Sequence, residues 1–306
     1  MVLKAKNKFL RFLPVYIMAL PGILYLIINN YLPMFGIIIA FKDYNVQKGI
    51  LGSDWAGLKN FEYLFKTQDA WVITRNTILY NVVFMILGTI CAITAAVLLN
   101  EVRQKFLSRF YQSVILLPYL MSMVVVSYLV FAFLSSETGF VNNTILAALG
   151  KEPISWYTEA KYWPFILTIV HIWKGIGFSM VVYLANIVGI NKDYYEAAQI
   201  DGATKWQQII HITLPSLKTT VITLTILAIG RIFYSDFGLF YQVPMNSGPL
   251  YRTTNTIDTY VHRGLMELGD IGMSSAAGVY QSVVGFILII VSNALIKKVS
   301  YEDALF

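Results

Sequence analysis

The chain has 306 residues, of which 57% are hydrophobic and 13% charged, and its formal net charge is +6. A mean hydropathy of +0.62 lies outside the usual range of soluble domains and points to a chain that crosses a membrane several times. The basic residues are scattered among loops that flank apolar runs, so they read as orientation signals and not as a nucleic-acid surface; the single cysteine, Cys91, sits inside an apolar run and offers neither a disulfide framework nor a thiolate metal cluster.

Lys4, Lys6, Lys8 and Arg11 precede an apolar run from Phe12 to about Tyr31. The run is near 20 residues and no small-residue cleavage site follows it, so a retained first span is expected in place of a signal peptide. Further spans are predicted at roughly 74–99, 110–134, 163–186, 216–235 and 276–296. Each is long enough, at about 1.5 Å per residue, to cross about 30 Å of hydrocarbon. The expected class is therefore an all-α polytopic membrane protein with six transmembrane helices over 12–296, flanked by short cytoplasmic segments at 1–11 and 297–306.

Six spans place both termini on one side. With that side inside, the inner segments 1–11, 100–109, 187–215 and 297–306 hold 11 Lys and Arg in 60 residues, against 8 in 110 for the outer segments 32–73, 135–162 and 236–275. This bias favours an N-in, C-in orientation.

Between the first two spans, residues 42–75 are rich in aromatic and turn residues (Tyr44, Trp55, Phe61, Phe65, Trp71), which suits an interfacial helix at headgroup level. Pro118 predicts a kink in the third span. His171 and Lys174 lie three apart on one face of the fourth, where ionisable groups at membrane depth mark either a pathway or a structural pair. Gly175 and Gly177 beside them permit close helix approach or local unwinding. The fifth span ends in Arg231, Tyr234, Asp236, Phe237 and Tyr241. Arg231 and Asp236 are spaced to pair with each other, yet the aromatics with polar handles also suit a sugar, whose ring faces stack on aromatics while its hydroxyls take hydrogen bonds.

The least hydrophobic long stretch of the second half is 191–215, NKDYYEAAQIDGATKWQQIIHITLP. Asp193 is a candidate helix N-cap with Glu196 at the reciprocal position, and Thr204 with Gln207 repeats the arrangement. Gly202 between them suits a sharp turn, and Pro215 suits the first turn of the following membrane helix. The prediction is two short helices at a glycine elbow outside the bilayer.

Glu196-Ala197-Ala198, three residues, Gly202, nine residues and Ile212-Thr213-Leu214-Pro215 together resemble the EAA loop of binding-protein-dependent ABC importer permeases. Trp55–Phe61, Thr256–Val261 and Ser275–Ser282 resemble the carbohydrate branch, which handles oligosaccharides and multiple sugars. The resemblance implies a type I ABC importer permease fold with cytoplasmic coupling helices in a bacterial plasma membrane. It implies that Tyr195, Glu196, Ala197, Ala198, Asp201, Gly202 and Ala203 form the contact with an ATPase. Expected partners are a second homologous permease in a heterodimer, an ABC ATPase dimer, an extracytoplasmic solute-binding lipoprotein, a carbohydrate substrate and membrane lipids.

The candidate substrate-path residues are His171, Lys174, Arg231, Tyr234, Asp236, Phe237 and Tyr241. No extracytoplasmic regulatory domain of the largest maltose-type subunit is expected. The sequence holds no G-x-x-x-x-G-K-[ST] loop, so no cofactor is expected in this chain, ATP and Mg being held by the partner ATPase. The three histidines are widely separated and suggest no metal site or catalytic residue. Two alternatives are a permease for a non-sugar solute, such as a peptide or osmolyte, and a stand-alone secondary transporter, which would be expected to carry internal repeats around an ion site.

Overall fold

The computed structural model describes residues 2–299. Met1 and residues 300–306, most of the predicted C-terminal segment 297–306, lie outside the described residues. The chain divides into two units, one formed by residues up to Thr67 with Val261–Tyr280, the other by Gln68–Tyr260 with the residues from Gln281 onward.

In the first unit, α1 (Val2–Leu26) runs on through π and 3-10 turns to Phe41. No residue in the most apolar 18-residue window of Phe12–Phe41 is buried, so apolar side chains face outward all round the helix. Strands β1 (Lys42–Asp43) and β2 (Asp54–Trp55) pair antiparallel, Lys42 opposite Trp55. Lys42 is buried, its Nζ donating to the Leu51 carbonyl at 2.8 Å and lying over the Trp55 ring. In the region where an interfacial helix is expected, the chain forms α2 (Lys59–Lys66). Asn60 ties it back, its Nδ2 donating to the carbonyls of Ala40 and Lys42 at 3.0 and 2.8 Å.

The second unit is built on α3 (Asp69–Asn100), whose main packing partner is the fourth membrane helix. The third predicted span is two helices, α4 (Lys105–Leu120) and α5 (Met123–Leu134), bent by 99°. The break falls at Met121–Ser122, not at Pro118, which stays inside α4. Proline removes one hydrogen bond but its own φ is helical; the chain turns three residues later, where Ser122 is extended and caps α5 by accepting from the Val125 N–H at 3.3 Å.

The fourth span is α6 (Trp163–Val188), the main partner of α3 and α4. Small residues Ala92 and Ala96 of α3 are buried against Met180, Tyr183, Leu184 and Ile187 of α6, which lets the two helices approach closely. At the other end Tyr80 and Phe84 meet Trp163 and Leu167. A Cβ on Gly177 would stand 2.3 Å from the Ile115 carbonyl oxygen of α4, so the crossing depends on this glycine. Gly175 has open space around it and no packing role. Gly177→Leu is expected to separate α4 from α6 at a cost of about 1–3 kcal/mol, seen as a lower unfolding temperature in detergent; Gly175→Ala is expected to leave that temperature unchanged.

The elbow comprises α7 (Lys192–Ile200) and α8 (Lys205–Ser216), the latter containing a π turn. Pro215 lies within α8, and the bend of 51° comes at Leu217, before α9 (Lys218–Ile229). The predicted span 216–235 is thus helical only to Ile229, followed by tight turns through Tyr234. Last come α10 (Ile257–Met266) and α11 (Ile271–Val299). Among the described residues four helical stretches are membrane-length, and the total is six when each bent pair is taken as one span.

Candidate functional site

The elbow is built by local capping. The residue that caps α7 is Asn191, two positions before the expected Asp193: its Oδ1 accepts from the Asp193 N–H at 3.1 Å and its Nδ2 donates to the Asp193 carboxylate at 3.0 Å. Glu196 therefore has no box to complete. It is exposed and makes no hydrogen bond or ion pair among the described residues.

At the other end of α7, the Ala203 N–H reaches the Ala198 carbonyl at 2.8 Å and the Gly202 N–H reaches that of Gln199 at 3.0 Å. This pair of bonds is a Schellman cap, and it needs the left-handed φ of +78° that Gly202 supplies. Thr204 and Gln207 then form the full capping box of α8. The Tyr195 hydroxyl lies 2.9 Å from Thr213 Oγ1 and ties the two helices together.

The seven predicted coupling residues separate into two groups. Glu196, Ala197, Asp201 and Gly202 are exposed, whereas Tyr195, Ala198 and Ala203 are half-buried and hold the elbow shut. Residues outside the prediction extend the exposed face: Ile200 is 86% exposed, Trp206 68% and Tyr194 63%. These are bulky apolar residues exposed on an otherwise polar segment, a pattern common on protein-contact surfaces, and it was readable in the sequence beside the motif.

The predicted substrate-path residues do not form one cluster. His171 stacks on Phe84 with ring centroids 3.8 Å apart and lines a cavity of about 250 Å³ between α3, α6 and α9, together with Thr89, Ser179 and Tyr183. Asp236 comes within electrostatic range of His171, while its Oδ1 accepts from the Leu239 N–H at 3.2 Å. Phe237 and Tyr241 stack on each other at 4.9 Å. Arg231 and Tyr234 are exposed. Arg231 and Asp236 form no ion pair with each other among the described residues, so the pairing their spacing suggested is absent there.

Lys174 has a structural task. Its Nζ donates to the Tyr119 carbonyl at 3.0 Å and lies over the Tyr119 ring, satisfying the end of α4 where the break at Met121 leaves carbonyls unpaired. Lys174→Met is expected to loosen this break at a cost of about 1–3 kcal/mol, measurable as faster amide exchange over 118–123, whereas unchanged exchange would argue against the role.

The backbone that follows α9 is held by side chains outside the predicted substrate path. Asn81 Nδ2 of α3 reaches the carbonyls of Ile232 and Tyr234 at 3.0 and 2.9 Å. Gln281 Nε2 donates to the Phe233 carbonyl at 2.9 Å and to Asp258 Oδ1 at 3.2 Å. The other Asp258 oxygen accepts from the Ser235 N–H and hydroxyl, both at 2.7 Å. Non-helical backbone at membrane depth survives only when its polar groups are paired inside the protein, and such segments line transport sites. The signal was present: Asn81 is an amide amid aliphatics in a span.

Residues 85–301 match the family of the binding-protein-dependent transport system inner membrane component. The chain belongs to that family. This stretch contains both the elbow and the irregular segment after α9. Over 287 residues, 94% of this chain and 88% of the relative, the inner membrane component is 35% identical to the polygalacturonan/rhamnogalacturonan transport system permease protein YteP of Bacillus subtilis (strain 168). Its fold matches a chain of a bacterial ABC transporter involved in the import of the acidic polysaccharide alginate, with a TM-score of 0.87, 31% identity and coverage of 97% of this chain and 99% of that one. A second solved structure, of a bacterial alginate ABC transporter in complex with an alginate pentasaccharide-bound periplasmic protein, matches with a TM-score of 0.85 and 31% identity. The resemblance to the carbohydrate permease family and the all-α permease fold are thus borne out.

Proposed function

We propose that this inner membrane component is one of two pore-forming subunits of an ATP-driven importer that carries an oligosaccharide across a bacterial plasma membrane. The observation that carries the reading is the match along nearly its whole length to a chain of an alginate importer. The partner permease is a different chain, an extracytoplasmic solute-binding lipoprotein delivers the sugar, and ATP with Mg is bound and hydrolysed on a separate ATPase dimer. The termini and the elbow face the cytoplasm, as the density of Lys and Arg supports.

Glu196, Ala197, Asp201 and Gly202 meet the ATPase, with Ile200 and Trp206 widening the contact. Tyr195, Ala198 and Ala203 hold the elbow rigid, so that movement of the ATPases is passed to α8 and α9. Import requires that loaded binding protein and ATP each favour the outward-facing arrangement.

His171, Asp236, Phe237 and Tyr241 line the path, with polar groups for hydroxyls and ring faces for stacking. Arg231, exposed and without an ion pair among the described residues, favours an acidic sugar. Lys174 is occupied by the α4 carbonyl and contributes position rather than charge to the substrate. The test is uptake of labelled oligouronides and of neutral oligosaccharides by cells with and without this chain. Loss of oligouronide uptake on deletion, restored by the wild-type chain and reduced for Arg231→Gln, is expected. Undiminished uptake of every carbohydrate after deletion would overturn the reading.

A further inference from the structure

Between α3 and α6 lies an apolar groove of about 720 Å³, at the end of α6 away from the elbow. Leu79, Val83 and Leu87 form one wall, Phe165 and Ile169 the other. Phe165 and Ile169 are 71% and 67% exposed, so the groove opens sideways from the bundle. The five wall residues do not line the cavity at His171; the two spaces meet at Ile172, which lines both.

Arg75 stands at the mouth of the groove, half-buried. Its Nη2 donates to Asn76 Oδ1 at 3.0 Å and to the Arg252 carbonyl at 3.1 Å, and its Nε to Asn76 Oδ1 at 3.3 Å. These bonds fix the guanidinium without neutralising it: among the described residues no carboxylate lies within ion-pair distance, and none of the three bonds uses Nη1. Trp71, one turn earlier and 69% exposed, has the chemistry of the headgroup level.

From Arg75 to Leu87 the helix rises about 18 Å at 1.5 Å per residue. Half of a hydrocarbon core of about 30 Å is close to that length, so the groove spans one leaflet. A fixed cation at the interface above an apolar trough one leaflet deep is complementary to an amphiphile with an anionic head. We propose that the α3–α6 groove binds one anionic phospholipid, its acyl chain along Leu79, Val83 and Leu87 and its phosphate on Arg75. The leaflet is the one away from the elbow, which is the outer leaflet if the orientation given under Proposed function holds; the site itself does not depend on that orientation.

The test is native mass spectrometry of the full-length chain, with whatever subunits accompany it, after washing in mild detergent with equal phosphatidylglycerol and phosphatidylcholine. Wild type is expected to retain one phosphatidylglycerol. Arg75→Gln is expected to retain at least tenfold less, and so is Ile169→Trp, which fills the groove from an exposed position and leaves Arg75 untouched. Equal retention in both variants would overturn the proposal, and so would equal retention of phosphatidylcholine by wild type. Capture of another protein chain in place of lipid by a photo-crosslinker at Leu79 would also overturn it. Lipid retention is read whether or not an ATPase co-purifies, so failure of the importer reading and failure of the lipid site are separate outcomes.

Discussion

Gly202→Trp is expected to reduce substrate-stimulated ATPase activity at least tenfold while leaving the six spans inserted. The position has a φ of +78°, where any L residue is strained, and open space around its missing Cβ. The backbone penalty is about 1–2 kcal/mol, enough to disturb the Schellman cap but not the membrane bundle. The indole would project from the exposed elbow where the ATPase is proposed to dock. Gly202→Asn separates the two effects, because asparagine tolerates the left-handed region; most activity is expected to survive in it. Undiminished stimulation in the tryptophan variant would remove the elbow from the contact.

The second large effect is expected at Asn81. Replacing it with leucine keeps the volume and removes the donor that serves the Ile232 and Tyr234 carbonyls. Each carbonyl left dry costs about 1–3 kcal/mol, and the segment it belongs to carries Arg231, Tyr234 and Asp236. Uptake is expected to fall at least tenfold and the unfolding temperature to drop by several degrees, while the ATPase still co-purifies because the elbow is untouched. Asn81→Asp, which cannot donate when ionised, is expected to behave alike. Wild-type uptake in both variants would mean that the irregular segment does not depend on this amide.

These two positions also mark how much was legible in the sequence. Gly202, Thr204 and Gln207 could be read because capping is local: the groups that meet are within a few residues of one another. The six apolar stretches were readable for the same kind of reason, since length and hydropathy belong to the segment itself. The choice between Asn191 and Asp193 as cap was not, because both side chains can do the task and only the residue at which the helix starts decides.

The breaks in the membrane helices were legible in kind but not in place. Pro118 announced one, yet the turn sits at Met121 because Lys174, 55 residues away, takes the Tyr119 carbonyl. The end of α9 at Ile229 depends on Asn81, more than 150 residues earlier than the carbonyls it serves, and on Gln281. Pairings across that separation leave no local pattern. For the same reason Arg231 and Asp236 looked like a pair from their spacing, while the turns after Gly230 hold them apart.

The central claim is that this inner membrane component works as one subunit of an ATP-driven assembly. Its most direct test is a mild-detergent pull-down of the tagged chain from its native membrane, with every co-purifying chain identified by mass. A P-loop ATPase, a second six-span permease and a lipid-anchored binding protein are expected in the same eluate. Recovery of the chain alone, stable and transporting in liposomes without ATP, would contradict it and make the protein a secondary carrier.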